Sequence, residues 1–189
     1  SRHERMSSPS RLAVPTHVIG DVHGQYDKLI RILRDANLIS SDLRWSGADS
    51  ALWLIGDLVD RGPDGNKVID LAMRLQREAA AAGGSANTLI GNHDILLLAA
   101  FHFGDWPQRR RTESFTGIWE RNGGNLENLA LLGNAQVTWL SNLPAMTHCG
   151  PYLLTHGDTM LYTRYGRSVA QLNVNMRDLL HTMDPVAWY

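Results

Sequence analysis

The sequence predicts an α/β fold in which short buried strands alternate with helices. Four mostly apolar runs, at residues 16–19, 51–55, 88–90 and 152–155, each stop at a glycine or histidine beside an acidic or amide residue. Short apolar runs bounded by glycine are typical of strands that are buried on both faces. Strands that alternate with helical patterns indicate a layered α/β architecture.

The segments between these runs show helical spacing of apolar residues. Leu29 and Leu33 follow the first run at helix spacing, and Val68 and Leu75 follow the second. After the third run, residues 95–103 continue as an apolar helix. Parallel strands joined in this way end at one edge of their sheet, where the loops of several strands meet in a crevice.

The composition is that of one globular domain. The 189 residues carry 18 Lys and Arg against 19 Asp and Glu, with a formal net charge of -1, and they include one cysteine. The charge argues against nucleic acid as a partner, and no apolar run is long enough to cross a membrane. A single cysteine excludes an intrachain disulfide and favours a reducing compartment. We therefore expect a cytoplasmic domain over residues 14–189, preceded by a disordered tail or cloning remnant at residues 1–13.

The least regular part of the sequence is residues 104–142, which contain a turn of two glycines at 123–124. We expect helices and loops that cap the crevice and influence substrate choice. The six tryptophans of the chain, Trp119 among them, are interpreted as core or rim packing because aromatic side chains dominate core energetics.

The ends of the four predicted strands carry side chains that can bind metal ions. They are Asp21, His23, Asp57, Asn92 and His156. Carboxylate, imidazole and amide oxygen together suit Mn, Fe or Zn better than Ca. Two such cations that share a bridging carboxylate can clamp both oxygens of an in-line phosphoryl displacement. The pattern therefore points to phosphoester chemistry at the strand ends.

Three further residues fit roles beside such a centre. His93, next to Asn92, is placed to protonate a leaving oxygen. Asp60, three residues beyond Asp57, could orient that imidazole, and Arg61 offers a planar fork for two phosphate oxygens.

The motifs that carry these residues resemble the signature of a known family. Gly-Asp-Val-His-Gly at 20–24, Gly-Asp-Leu-Val-Asp-Arg-Gly at 56–62 and Gly-Asn-His-Asp at 91–94 stand in the order and spacing of its three motifs. The family is the phosphoprotein-phosphatase type of calcineurin-like metallophosphoesterase. His-Gly-Asp at 156–158 resembles its fourth motif, and the resemblance extends over about residues 14–177. Three motifs in sequence, each after a strand, are specific evidence.

The resemblance implies two mixed β-sheets sandwiched between helices, with a centre of two divalent cations. Asp21 and His23 would hold the first cation, Asn92 and His156 the second, and Asp57 would bridge the two. The expected metal is Mn, with Fe or Zn as alternatives.

The resemblance also assigns roles in catalysis and substrate binding. His93 would be the general acid, paired with Asp60, and Arg61 would bind phosphate. A further phosphate-binding arginine is expected after the fourth motif. Arg177 is the first candidate, and the alternatives are Arg164 and Arg167.

Three features depart from the family pattern. Asp94 stands where the protein phosphatases usually have Glu, and Ile90 stands where several bacterial and phage members carry Arg. The family also has a last metal histidine within a Gly-His pair, whereas His181 is the only histidine after His156. We hypothesise that the natural protein continues past Tyr189 with the strands that carry it.

The function implied is that of a two-metal phosphoesterase, in which activated hydroxide attacks the phosphorus of a phosphate monoester directly. Residues 77–92 resemble the bacterial, Shewanella-like protein phosphatases, which favours phosphoserine or phosphothreonine in proteins as the substrate. Residues 91–99 equally resemble the symmetrical dinucleoside-tetraphosphate hydrolases, which favours a small phosphoester. A non-catalytic phospho-ligand binder that has lost its second metal is the remaining alternative.

Overall fold

A three-stranded parallel sheet organises the N-terminal half of the molecule. The computed structural model describes residues 14–157 and 160–189. The first elements are β1 (Thr16–Ile19), α1 (Tyr26–Asp35), β2 (Ala51–Leu54), α2 (Gly65–Ala81), β3 (Ser85–Thr88) and α3 (Asn92–Phe103). The strand order is β1-β2-β3, and both pairings are parallel. The carboxyl ends of these strands therefore lie at one edge of the sheet.

A two-stranded antiparallel sheet and further helices form the C-terminal half. The elements are α4 (Phe115–Arg121), α5 (Leu126–Leu131), α6 (Asn134–Ser141), β4 (Met146–Cys149), β5 (Tyr152–Thr155), a 3-10 helix (Met160–Arg164), α7 (Val169–His181) and α8 (Pro185–Trp188). The backbone N–H of Ile90 donates to the carbonyl of Pro144, which links the segment after β3 to the segment before β4. The expected α/β fold with two sheets and flanking helices is confirmed, one sheet being parallel and the other antiparallel.

The helices predicted from apolar spacing are present, and their apolar faces form the core. Leu33 of α1, Val68 and Leu75 of α2 and Leu98 of α3 are each at most 1% exposed. Helix α3 begins at Asn92, three residues before the predicted start, so that the polar residues 92–94 form its first turn. No described helix combines the length and the apolar character that a membrane span requires.

The predicted strands were wrong in three respects. The third strand is Ser85–Thr88 instead of residues 88–90, because its Ser-Ala-Asn-Thr sequence lacks the apolar run that marks the others. Burial on both faces holds for β2 but not for β1, whose Val18 is 49% exposed. In β5, Tyr152 is likewise exposed. Strand β4 (Met146–Cys149) was not predicted, since its sequence shows no apolar run.

Candidate metal centre

The predicted site residues converge at the carboxyl edge of the parallel sheet. Ligand atoms of Asp21, Asp57 and His156 form one trio, within 4.8 Å of one another. Those of His23, Asp57 and His93 form a second trio, within the same distance of one another. The contributing segments are the loops after β1, β2 and β5 and the first turn of α3. Asp158 of the fourth motif lies outside the described residues.

The backbone of the site is strained at four predicted residues. His23, Asp57, Asp60 and Arg61 adopt left-handed φ angles of 47°, 51°, 69° and 69°. This conformation costs a non-glycine residue roughly 1–2 kcal/mol. Hydrogen bonds between the loops hold it: the carbonyl of Asp57 accepts from the N–H of His23 at 2.8 Å. Strain of this kind is concentrated at functional sites.

Asp94 ties the loop after β2 to the loop after β3. Its fully buried carboxylate accepts hydrogen bonds from the backbone N–H groups of Asp57, Leu58 and Gly91, each at 2.9 Å. Burial raises the pKa of Asp94 to about 7, aided by the charge of Asp57 and opposed by the three N–H donors. Gly91 is required here, because a Cβ would overlap the carboxylate and backbone N of Asp57. The residue that departs from the family pattern therefore anchors the site.

The loop after β2 orients three histidines of the site. Each histidine directs Nδ1 toward an acceptor of that loop, namely the carbonyl of Ile55 for His156 (2.8 Å), the carbonyl of Val59 for His23 (2.9 Å) and the carboxylate of Asp60 for His93 (2.9 Å). Because carbonyls and carboxylates only accept, the hydrogen atom is placed on Nδ1. Nε2 of each ring is thereby left free to act at the centre, as is usual for histidines that ligate metals.

Asp57 lies between the two groups of predicted ligands. Its Oδ2 is 3.2 Å from Nε2 of His156 and 3.7 Å from Nε2 of His23, whereas Oδ1 accepts the backbone N–H of His93 at 2.9 Å. Burial opposes ionisation of Asp57, but the hydrogen bonds from His156 and His93 outweigh it and lower the pKa. The same contact with Asp57 raises the pKa of His156 to about 9.

This donor set fits divalent cations. Asn92 Oδ1 lies 2.9 Å from Nε2 of His156, so amide oxygen, imidazole and carboxylate lie together, a combination that suits Mn, Fe or Zn. The two trios share Asp57, as a bridging carboxylate would. The carboxylate of Asp21 lies 3.6 Å from Nε2 of His23 and 3.8 Å from Nδ1 of His156, so it is within reach of both groups of ligands. The division of ligands between two cations stays a prediction.

Arg61 lies across the opening of the site. Its Nη1 is 3.4 Å from Nε2 of His23, and its Nη2 is 3.5 Å from Nε2 of His93. The guanidinium is exposed and can present two N–H groups to one phosphate. Arg177 is exposed on α7, and the described contacts show only its carbonyl, which accepts from His181. Its role as a second phosphate ligand stays a prediction.

Trp119 is a site residue that sequence reasoning missed. This fully buried indole on α4 donates its Nε1–H to Oδ1 of Asp60 at 2.8 Å. Burial raises the pKa of Asp60, and the hydrogen bonds from His93 and Trp119 oppose that rise. The backbone N–H of Arg61 donates to the carbonyl of Gly123 in the turn after α4. The glycine pair at 123–124 was the available signal that this turn approaches another loop closely.

An apolar cavity adjoins Asn92 and His156, two of the predicted cation ligands. Its volume is ≈ 350 Å³. Aromatic and aliphatic side chains line most of it, among them Ile90, Ile95, Tyr162, Tyr165, Met176 and Trp188. Ile90, which stands where several family members carry Arg, is buried and lines this cavity.

Comparison with known families agrees with this geometry. The model of the calcineurin-like phosphoesterase family matches residues 14–185, which is most of the chain. The chain belongs to this family. The resemblance of its motifs is therefore confirmed, and the α/β fold is the family's fold.

Named relatives fall into two groups. Shewanella-like protein phosphatase 2 of Arabidopsis thaliana is 38% identical over 92 residues, which are 49% of this chain and 22% of that protein. The symmetrical bis(5'-nucleosyl)-tetraphosphatase of Klebsiella pneumoniae is 40% identical over 86 residues, 46% of this chain and 26% of that protein. The chain therefore spans about a quarter of the length of these relatives.

A solved structure supports the fold over a longer stretch. The cold-active protein-tyrosine phosphatase of a psychrophilic Shewanella species superposes with a TM-score of 0.64 at 23% identity. The superposition covers 90% of this chain and 52% of that chain.

Proposed function

We propose that the protein hydrolyses phosphate monoesters with two divalent cations, Mn by preference, and that its substrates are phosphoserine or phosphothreonine side chains of proteins. The observation that carries the proposal is the common orientation of three histidines. The loop after β2 accepts from Nδ1 of each ring. Nε2 of His156 and Nε2 of His23 then face the carboxylate of Asp57, and Nε2 of His93 lies beside Arg61. This arrangement is usual for histidines of a metal centre.

Each residue of the site has a separate role in hydrolysis. Bound cations supply Lewis acidity toward the phosphate oxygens and acidify water near neutral pH. Arg61 binds two phosphate oxygens, and His93 protonates the leaving oxygen from Nε2. Asp60 holds the other ring nitrogen of His93 at 2.9 Å, which keeps the imidazole aimed at the leaving group.

A second candidate is the symmetrical hydrolysis of a dinucleoside tetraphosphate. The identity of 40% to a named tetraphosphatase over 86 residues favours it. The aromatic-lined cavity beside Asn92 and His156 would accept a nucleobase at the leaving side.

The expected cytoplasmic location stays a prediction.

The decisive experiment is hydrolysis of p-nitrophenyl phosphate by the purified chain with added Mn²⁺. Turnover should require the metal, cease with a chelator and be lost in Asp57→Asn. Asp35→Asn, a change of the same kind on the exposed end of α1, should retain it. Circular dichroism should show both variants folded. Metal-independent turnover, or full turnover in Asp57→Asn, would refute the proposal.

Substrate class is then decided by two rates measured side by side. The protein phosphatase proposal expects faster hydrolysis of a phosphoserine peptide than of diadenosine tetraphosphate. The reverse order would replace it with the tetraphosphatase. Binding of both compounds without hydrolysis of either would instead favour the non-catalytic binder.

A further inference from the structure

The carboxylate of Asp60 is held between two ring donors in the interior. It is 0% exposed, and its Oδ2 contacts Nδ1 of His93 at 2.9 Å, while its Oδ1 accepts from the indole of Trp119 at 2.8 Å. A buried carboxylate needs donors on both oxygens, since an unpaired oxygen carries a large desolvation penalty. The two contacts together fix the plane of the carboxylate.

The indole is itself rigidly held. Trp119 is fully buried, and its backbone carbonyl accepts from the N–H of Gly124 at 2.9 Å. A Cβ at Gly124 would overlap Cδ2 and Cε2 of the indole, so this glycine closes the turn directly against the ring. The carbonyl of the neighbouring Gly123 accepts a hydrogen bond from the backbone N–H of Arg61. Helix α4 and residues 122–125 therefore hold Asp60 through its side chain and Arg61 through its backbone.

We infer that Trp119 is a positioning residue for catalysis: its indole N–H fixes Asp60, which in turn aims Nε2 of His93 at the leaving oxygen. This inference rests on the proposed function. For this step both ring nitrogens of His93 carry a proton. As water forms its bond to phosphorus and the P–O bond to the leaving group breaks, the bond electrons go to the leaving oxygen, which takes the proton from Nε2 of His93. The Nδ1 proton stays in its hydrogen bond to Asp60. Without the indole donor, Asp60 is free to turn away from the imidazole.

The test is Trp119→Phe, which keeps an aromatic ring but removes the N–H donor. Phenyl phosphate has a poor leaving group, so its kcat should fall about 10–100-fold, the usual cost of losing a group that orients a functional histidine. p-Nitrophenyl phosphate has a good leaving group that departs without a proton, so its kcat should change little. KM should change little with either substrate, because Trp119 does not contact phosphate.

The matched control is Trp139→Phe. Trp139 on α6 also donates its indole N–H to a side chain, Oε1 of Gln76 on α2, at 2.7 Å. The same chemical change there should leave the ratio of the two kcat values unaltered. Equal losses on both substrates in Trp119→Phe, or no loss on phenyl phosphate, would overturn the inference.

A second readout does not depend on turnover. In the unsubstituted protein, NMR should show the Nδ1–H proton of His93 as a downfield signal protected from exchange with water. Trp119→Phe should accelerate that exchange, and Trp139→Phe should not. If the unsubstituted protein hydrolysed neither substrate, the proposed function would fail, while this signal would still test whether Trp119 fixes the Asp60–His93 pair. Unchanged exchange in Trp119→Phe would overturn the inference by itself.

Discussion

Substitution of Asp94 by Ala should be among the most destabilising changes in this chain. The change leaves the backbone N–H groups of Asp57, Leu58 and Gly91 without their acceptor inside the protein. A buried donor left unpaired costs about 1–3 kcal/mol, and water entering the space vacated by the carboxylate should recover part of this. We therefore expect a loss of about 3–5 kcal/mol in the free energy of unfolding, a large fraction of the usual total.

The assay for this prediction is urea unfolding at pH 7 with a chelator present, so that bound metal does not contribute. Asp94→Asn keeps one acceptor oxygen and should lose less than Asp94→Ala. Asp35→Ala, on an exposed helix end, should stay within about 0.5 kcal/mol of the unsubstituted protein. If Asp94→Ala were no less stable than Asp35→Ala, the view of Asp94 as the tie between two loops would be refuted.

Three further changes test other parts of the structure. Burial opposes ionisation of Glu78, but the N–H of Trp45 and two arginines outweigh it and hold its pKa at about 2. Glu78→Gln should therefore lower the free energy of unfolding by about 1–2 kcal/mol at pH 7. Urea melts should show this deficit shrinking below pH 4.5 and largely lost near pH 2, where the carboxyl group of the unsubstituted protein becomes protonated. A deficit independent of pH would contradict this. Gly124→Ala should lower both the unfolding midpoint and the phosphatase rate, because its methyl group collides with the indole of Trp119; a neutral result would show that the turn adjusts freely. His156→Ala should reduce the Mn²⁺ stoichiometry in titration calorimetry from two toward one, and two tightly bound ions in this variant would exclude His156 as a ligand.

The location of the site could be predicted from sequence because its residues are adjacent to strand ends. Asp21 and Asp57 each come directly after a Gly that ends an apolar run, and parallel strands bring such ends to one edge. The helix that begins at Asn92 was also predictable, although its start was placed three residues late. The polar first turn concealed the start, since periodicity is carried by apolar residues.

Contacts between distant residues could not be predicted from the same patterns. Trp119 and Asp60 are 59 positions apart, and nothing in the spacing of either residue indicates the other. A buried tryptophan is correctly expected in a core, but the partner of its indole N–H depends on the tertiary packing of α4. Strand β3 was misplaced for a related reason, because its small and polar residues are held by pairing with β2 and not by their own burial pattern.

The loop after β2 explains why so few residues suffice to specify this centre. Its acceptors fix Nδ1 of three histidines that come from three other segments, and its Asp57 faces the free Nε2 of two of them. The loop is itself held from both sides, by Asp94 at Asp57 and by Gly123 at Arg61. A shift of this single loop would therefore move Asp57, the ring of His93 and Arg61 together, which are the proposed bridging carboxylate, general acid and phosphate ligand. Asp94 and the turn after α4 contact no substrate. Substitutions there should nevertheless impair metal binding, proton donation and phosphate binding together, because all three depend on the position of this loop.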